Sequence, residues 1–442
     1  MLELYAAHLD TLSQRLTKIL QAAAAEGEKF DGIVFHAGSQ DHYYADDREI
    51  PFVRTPHFSR LCPTAGKDHL LVYEPGKKFR LLRVLPPDFW YEPAQELDHP
   101  YAAEMDVQRF DSADAALLAL GSLPHHAFLG RAGEASKKLG ATVEPKGLMA
   151  LLDWDRAYKS AYEVECVREA GRIASLGHRA VREAVDRGLS ERQLHAVYLE
   201  ATQMLDHQTP YNNIIGWDDH GSILHYQSKD TQPPRLGKTL LIDAGANCFG
   251  YASDVTRTYA RAGTDALFVD LLDRMDDLQR ELVESVGPGV DYVSLHEQAM
   301  RGIVGIVCET GLVRCGEDAA FERGHGSAFF PHGLGHHLGI QVHDIGGRQA
   351  KPKGGENAPP ANYPFLRTTR ALEPGNVVTI EPGLYFIPLL LDPLRPGKHA
   401  ADFDWDRIDA MIPLGGIRIE DNVCVTEEGR QDLTRPYIPG HR

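Results

Sequence analysis

In the second half of this chain, acids stand where buried strands should carry apolar side chains. Asp243 closes the run Leu240-Leu241-Ile242, Glu381 follows Val377–Ile380, and Glu420 follows Ile417-Arg418-Ile419. Asp254 lies within Tyr251–Tyr259, across a turn containing Gly245, Asn247 and Gly250. Strand side chains alternate, so Arg418, Glu420 and Asn422 share one face. A fifth segment, PHGLGHHLGIQVHD, holds His332, His336, His337 and His343. Carboxylates at the ends of apolar strands are costly to bury without compensation. Together these acids carry about −4, which two divalent cations neutralise. Oxygen-rich ligation with one imidazole favours Mn²⁺, with Co²⁺ or Zn²⁺ able to substitute. Two such ions sharing a water supply hydroxide near neutral pH and polarise a carbonyl, so the implied chemistry is metal-assisted hydrolysis.

Each feature alone has a blander reading. A strand-end Asp is commonly a turn or cap residue, a lone strand Glu faces solvent, a His-rich run is a surface loop, and Arg418 pairs an exposed acid. Their coincidence within one domain is what points to a metal site.

The rest of the sequence bounds the partners and the layout. With 442 residues, Asp+Glu 63 and Lys+Arg 46, the net charge is −17, which argues against the phosphate backbone of nucleic acid and against an anionic membrane surface. No stretch of about 18 uncharged apolar residues occurs. MLELYAAHLDTLSQRL lacks a signal pattern, since Glu3 and Asp10 interrupt it and the first basic residue is Arg15. The six cysteines are scattered with no CxxC pair, too sparse for a disulfide framework or a thiolate zinc site. Reduced thiols in the cytoplasm are the expectation.

Leu2, Tyr5, Leu9, Leu12, Leu16 and Ile19 predict an amphipathic helix. The runs Gly32–Phe35, Leu70–Tyr73, Phe79–Val84 and Ala127–Leu129 predict strands of a mixed α/β domain, with a join at Trp154–Ser160. Val167, Ala170, Ala174, Gly177, Val181 and Ala184 predict a helix whose small residues admit a close neighbour. Gly188 marks a stop, and Ser190 with Gln193 forms a capping-box pattern. A further helix is expected over about Leu267–Val286, between segments of β texture. Gly346–Pro364, rich in Gly and Pro, reads as a long functional loop. The expected fold class is α/β (α+β), with an N-terminal domain over 1–155 and a catalytic domain over 156–442.

The segments LLIDAG, SDVTRT, PHGLGHHLGIQVHD, TIEPGLYF and GGIRIEDNV resemble the metallopeptidases of the pita-bread fold. With LHY at Leu224–Tyr226 and NYPFLRTTRALEPG at Asn362–Gly375, they resemble in particular the bacterial prolidases, the Xaa-Pro dipeptidases. The resemblance covers essentially the whole chain, strongly from about residue 157, and as a set the motifs are specific.

That resemblance implies a C-terminal pita-bread domain and roles for individual residues. Asp243 would chelate the first metal, Asp254 and Glu420 would bridge both, and His336 and Glu381 would hold the second. Glu381 would also accept a proton during attack. His332 and His343 would hydrogen-bond the scissile carbonyl and the tetrahedral intermediate. His225 would sit at the pocket rim, and Arg418 would orient the metal carboxylates. Arg367 would fix the free C-terminal carboxylate of a dipeptide; otherwise it is a loop arginine in solvent. Tyr385 would close the pocket or sit in the core. Asp46 and Asp47 would reach a partner's active site in a homodimer, or lie on an exposed loop. The stretch RQAKPKGGENAPP maps onto no substrate role. The implied activity is hydrolysis of Xaa-Pro dipeptides, with organophosphorus triesters as a possible side reaction. Aminopeptidase P is the nearest rival; a metal-free binding module and creatinase-like chemistry are weaker ones, because all five ligand positions hold competent residue types.

Overall fold

The computed structural model describes residues 1–92, 99–131, 133–438 and 440. It forms two compact units: Met1–Arg156 with Ser160–Glu165 and Gln349–Gly355, and Ala157–Lys159 with Cys166–Arg348 and Glu356–Arg442.

The first unit opens with the helix Tyr5–Ala25, which buries Tyr5, Leu9, Leu12, Leu16 and Ile19 along one stripe. Leu2 lies ahead of it in a short 3-10 turn and is half-buried. Its strands are β1 (Gly32–His36), β2 (Leu70–Tyr73), β3 (Arg80–Val84), β4 (Asp106–Phe110), β5 (His126–Leu129) and β6 (Thr142–Val143). They form one mixed sheet in the order β4-β3-β2-β1-β5-β6. β2 pairs antiparallel with β1 and β3, and the remaining pairs are parallel. Continuous burial of β1, β2 and β5 explains why these appear in sequence as unbroken apolar runs. The join expected from Trp154 starts inside a helix, Lys146–Arg156.

The helix expected around Val167–Ala184 is Ala161–Ala184, which belongs to the second unit from Cys166 onward. A Cβ on Gly177 would meet the Tyr198 ring at 2.4 Å, so only glycine allows this approach. Gly188 takes the left-handed conformation at φ 67°, and the Ser190/Gln193 box starts the helix Glu191–Thr202. β8 (Thr239–Asp243) lies between β7 (Ile214–Trp217) and β11 (Thr256–Ala260) in an antiparallel sheet. Between them β9 (Asn247–Cys248) and β10 (Tyr251–Ala252) form a hairpin. Its two turn residues, Phe249 and Gly250, both have positive φ, as a tight hairpin turn requires.

The segment expected to be a loop from Gly346 carries a small hairpin, β12 (Gln349–Lys351) and β13 (Gly354–Glu356), with Gly354 and Gly355 at φ 99° and 83°. β14 (Val377–Ile380), β17 (Asp421–Thr426) and β18 (Gly429–Asp432) make a second antiparallel sheet, while β15 (Gly383–Tyr385) pairs with β16 (Gly416–Arg418). The helices Ala266–Glu284 and Tyr292–Glu309 cover the main core. Single bridges, Thr256 to Glu420 and His337 to Val378, tie the sheets together and bring the strand ends with their acids to one place.

His296, on the helix Tyr292–Glu309, is 1 % exposed and packs on Phe330 and Tyr363. Burial lowers its pKa to about 4, against about 6.5 when unfolded. As pH falls between those values the unfolded chain takes up a proton that the folded chain refuses. Stability is therefore lost through that window, by up to about 3 kcal/mol. Denaturant melts at pH 7 and pH 5 should give a smaller acid loss for His296→Phe than for the parent; equal losses would contradict this.

Candidate active site

Each acid reaches the site from a different strand end. Asp243 is the last residue of β8. Asp254 lies between β10 and β11, and Asn422 holds its backbone from both sides: the side-chain oxygen accepts the Asp254 N–H (3.1 Å) and the side-chain NH₂ donates to the Asp254 carbonyl (2.5 Å). Glu381 follows β14 directly, and Glu420 sits between β16 and β17. All four line one cavity with His336, whose Nε2 lies 3.4 Å from Asp254 Oδ2 and 3.5 Å from Glu381 Oε1. Donor atoms of Asp254, His336 and Glu420 all lie within 4.8 Å of one another.

Hydrogen bonds aim these groups. His336 Nδ1 lies 2.9 Å from the His337 carbonyl. A carbonyl only accepts, so Nδ1 carries the hydrogen and the Nε2 lone pair faces the acids. Thr379 Oγ1 accepts the His336 N–H (3.0 Å) and donates to Glu381 Oε1 (3.2 Å). Thr256 Oγ1 donates to Glu420 Oε2 at 2.7 Å. Arg418 donates to Asp243 Oδ2 at 2.7 Å and to the Tyr385 hydroxyl at 2.9 Å. Tyr385 in turn bonds His332 Nε2 at 2.8 Å, while His332 Nδ1 is 2.8 Å from the Gly333 carbonyl.

The electrostatics show the cost of this arrangement. Burial, reinforced by neighbouring acids, pushes Glu381 up to about 7 and Glu420 well above the usual glutamate range. Burial also raises Asp243, against the pull of Arg418. For Asp254 burial acts upward too, but His336 and Tyr211 outweigh it and the net shift is downward. Asp243 Oδ1 is buried without a hydrogen-bond partner among the described residues. An orphaned carboxylate oxygen, four clustered acids and one imidazole lone pair are the donor set of hard or borderline divalent ions, so these residues fit a two-metal site.

A cavity of about 1130 Å³ opens over this cluster. Asp243, Asp254, His336, Glu381, Glu420 and Arg418 line it, as do His225, His332, His343 and Arg367. His343 and His225 are exposed, and the His343 ring stands edge-on to His336 at 4.5 Å. Arg367 is exposed and has no hydrogen bond or ion pair among the described residues. Its neighbour on the wall, Arg348, is instead engaged with the Leu366 carbonyl.

Of the two positions open to Tyr385, the structure shows the core. Tyr385 is fully buried and does not line the cavity; its hydroxyl links Arg418 to His332. His332 lines the cavity with both ring nitrogens engaged inside the protein, which leaves His343 and His225 as its histidines free to donate among the described residues, with His343 the one beside His336. Asp46 and Asp47 are exposed residues of the first unit, where Asp46 Oδ1 accepts the Arg48 N–H at 3.1 Å. Sequence reasoning missed Tyr211, which lines the cavity with its hydroxyl buried beside Asp243 and Asp254. Nothing in the local sequence TPYNN singles it out.

Residues 165–427 match the model of Metallopeptidase family M24, and residues 3–154 match that of the Xaa-Pro dipeptidase N-terminal domain. The Xaa-Pro dipeptidase of Xanthomonas axonopodis pv. citri is 41% identical over 98% of both chains. The chain belongs to metallopeptidase family M24, in its Xaa-Pro dipeptidase branch. The Stenotrophomonas maltophilia Xaa-Pro dipeptidase is 37% identical, covering 98% of this chain and 97% of that one. Among solved structures, aminopeptidase P from E. coli with the inhibitor Pro-Leu superposes with a TM-score of 0.72 at 22% identity, over 96% of this chain and 95% of that one. The likeness establishes the pita-bread fold for this M24 chain, as its motifs imply. Among the described residues no helix is long and apolar enough to cross a membrane.

Proposed function

We propose that this M24 chain hydrolyses Xaa-Pro dipeptides. The observation that carries the reading is an unpaired Arg367 guanidinium on the wall of the cavity whose floor holds the five donors. The full-length likeness to Xaa-Pro dipeptidases supports it. A peptide bond to proline has no N–H and a fixed φ, so a site for it gains little from ordinary amide recognition and must hold the substrate by its ends. Arg367 offers a bidentate fork to the C-terminal carboxylate of a dipeptide, a group that a longer peptide lacks at that position.

Asp243, Asp254, His336, Glu381 and Glu420 would hold two divalent ions, with Mn²⁺ favoured by the oxygen-rich set. When bound, such ions acidify water near neutral pH and polarise the scissile carbonyl. Arg418 pulls against the burial of Asp243 and aims its carboxylate. Glu381 takes the proton of the attacking water on a carboxylate oxygen and returns it to the departing proline nitrogen. His343 donates to the oxygen on which negative charge develops.

The same reading includes a homodimer in the cytoplasm. All six cysteines are free, which suits a reducing compartment. Exposed Asp46 and Asp47, beside the fully exposed Tyr44, would offer carboxylates to the substrate ammonium in a partner copy.

Arg367→Gln should raise KM for Ala-Pro by about 10- to 100-fold with kcat little changed, the loss of one charged hydrogen-bonded pair. An unchanged KM would remove the carboxylate clamp. In the same assay, an unchanged KM after replacing both Asp46 and Asp47 by Ala would remove the partner contribution.

A further inference from the structure

Outside the catalytic cavity, three segments of the second unit bring together a different set of donors. Cys315 follows the helix Tyr292–Glu309, His325 opens the 3-10 turn His325–Ala328, and Asp402 ends the turn Ala400–Asp402. A sulfur, a ring nitrogen and a carboxylate oxygen from these residues all lie within 4.8 Å of one another. None of the three lines the catalytic cavity.

The scaffold around them is fixed. The Arg314 N–H donates to the Asp402 carbonyl at 2.6 Å, and Val313 makes a bridge to Phe403, so the stretch carrying Cys315 is tied to the stretch carrying Asp402. His325 is 4 % exposed, with its ring 4.6 Å from that of Phe403. Asp402 Oδ2 lies 2.8 Å from His325 Nε2 and 3.6 Å from Nδ1 of His399, which stands one turn earlier. Arg323 also donates to this oxygen, at 2.7 Å, from a side chain that is 36% exposed and that also faces Cys315.

One sulfur, one imidazole and one carboxylate make a three-donor set of the kind that Zn²⁺ takes, with its fourth position left to water. A thiolate disfavours hard ions such as Mg²⁺ and Ca²⁺, and the thiolate and carboxylate charges together balance one divalent ion. We propose that Cys315, His325 and Asp402 bind a Zn²⁺ ion distinct from the ions of the catalytic cavity. Binding breaks the Cys315 S–H bond, releases that proton to solvent and forms the sulfur–metal bond, while Arg323 leaves Asp402. The ion would clip together three segments now joined by backbone contacts and an ion pair. The pattern is invisible to a search for paired cysteines, because its ligands come from positions 315, 325 and 402.

Co²⁺ is the probe, because a cobalt–thiolate bond absorbs in the near ultraviolet and the catalytic cavity has no sulfur donor among its lining residues. Protein first loaded with Mn²⁺ and then titrated with Co²⁺ should develop this band, saturating at about one ion per chain, and Zn²⁺ should bleach it. Cys315→Ser and His325→Gln should each abolish the band, and Cys308→Ser should retain it. Circular dichroism shows whether each variant is folded. Absence of the band in the parent protein, or its survival in folded Cys315→Ser, would overturn the proposal.

Discussion

Glu381→Gln is expected to lower kcat for Ala-Pro by about a thousandfold, within the range that a positioned general base contributes. The amide keeps the shape of the side chain and its bond from Thr379 Oγ1 at 3.2 Å, but it cannot carry a proton between water and the departing nitrogen. It also withdraws one carboxylate from the donor set, so bound metal should fall with activity. KM should move little, because Arg367 rather than Glu381 holds the dipeptide. A variant that kept activity within tenfold of the parent would remove Glu381 from the chemistry.

The adjacent histidines should part company. His336→Ala removes the lone pair that faces Asp254 and Glu381 at 3.4 and 3.5 Å. Loss of a direct ligand should cost more than the 10–100-fold seen for supporting residues, so metal affinity should fall by about 100-fold or more. His337 is equally buried, but neither ring nitrogen has a hydrogen-bond partner among the described residues. Burial, then Lys159 and Arg370, keeps it neutral well below the usual histidine range. What it gives the site is its carbonyl, which any residue supplies. His337→Ala should therefore destabilise the fold by about 1–3 kcal/mol, as a core truncation does, and retain bound metal. Metal analysis of the two purified variants checks this, and equal metal loss would contradict it.

The acids were legible because an ionisable group at the end of an apolar strand contradicts the strand's own pattern. Asp243, Glu381 and Glu420 each break such a run, and the register of β8 against β11 and of β14 against β17 turns that local contradiction into one cluster. The alternation that put Asn422 on the face of Arg418 and Glu420 is visible as its grip on the Asp254 backbone. What stayed hidden depends on distant contacts. Tyr385 reads as a wall residue until Arg418 and His332 are seen to occupy its hydroxyl, and Tyr211 carries no local signal. β4, with exposed Asp106 and Arg109, and two-residue β6 offered too little apolar pattern, and two glycines concealed the β12–β13 hairpin.

The most direct test of a two-metal dipeptidase compares initial rates on Ala-Pro and Ala-Pro-Ala, using metal-stripped protein before and after Mn²⁺ is restored. The expected result is no hydrolysis without metal, and cleavage of the dipeptide alone once Mn²⁺ returns. Equal cleavage of the tripeptide would contradict the Arg367 clamp and point to aminopeptidase P activity. Full activity in the stripped protein would contradict the metal site itself.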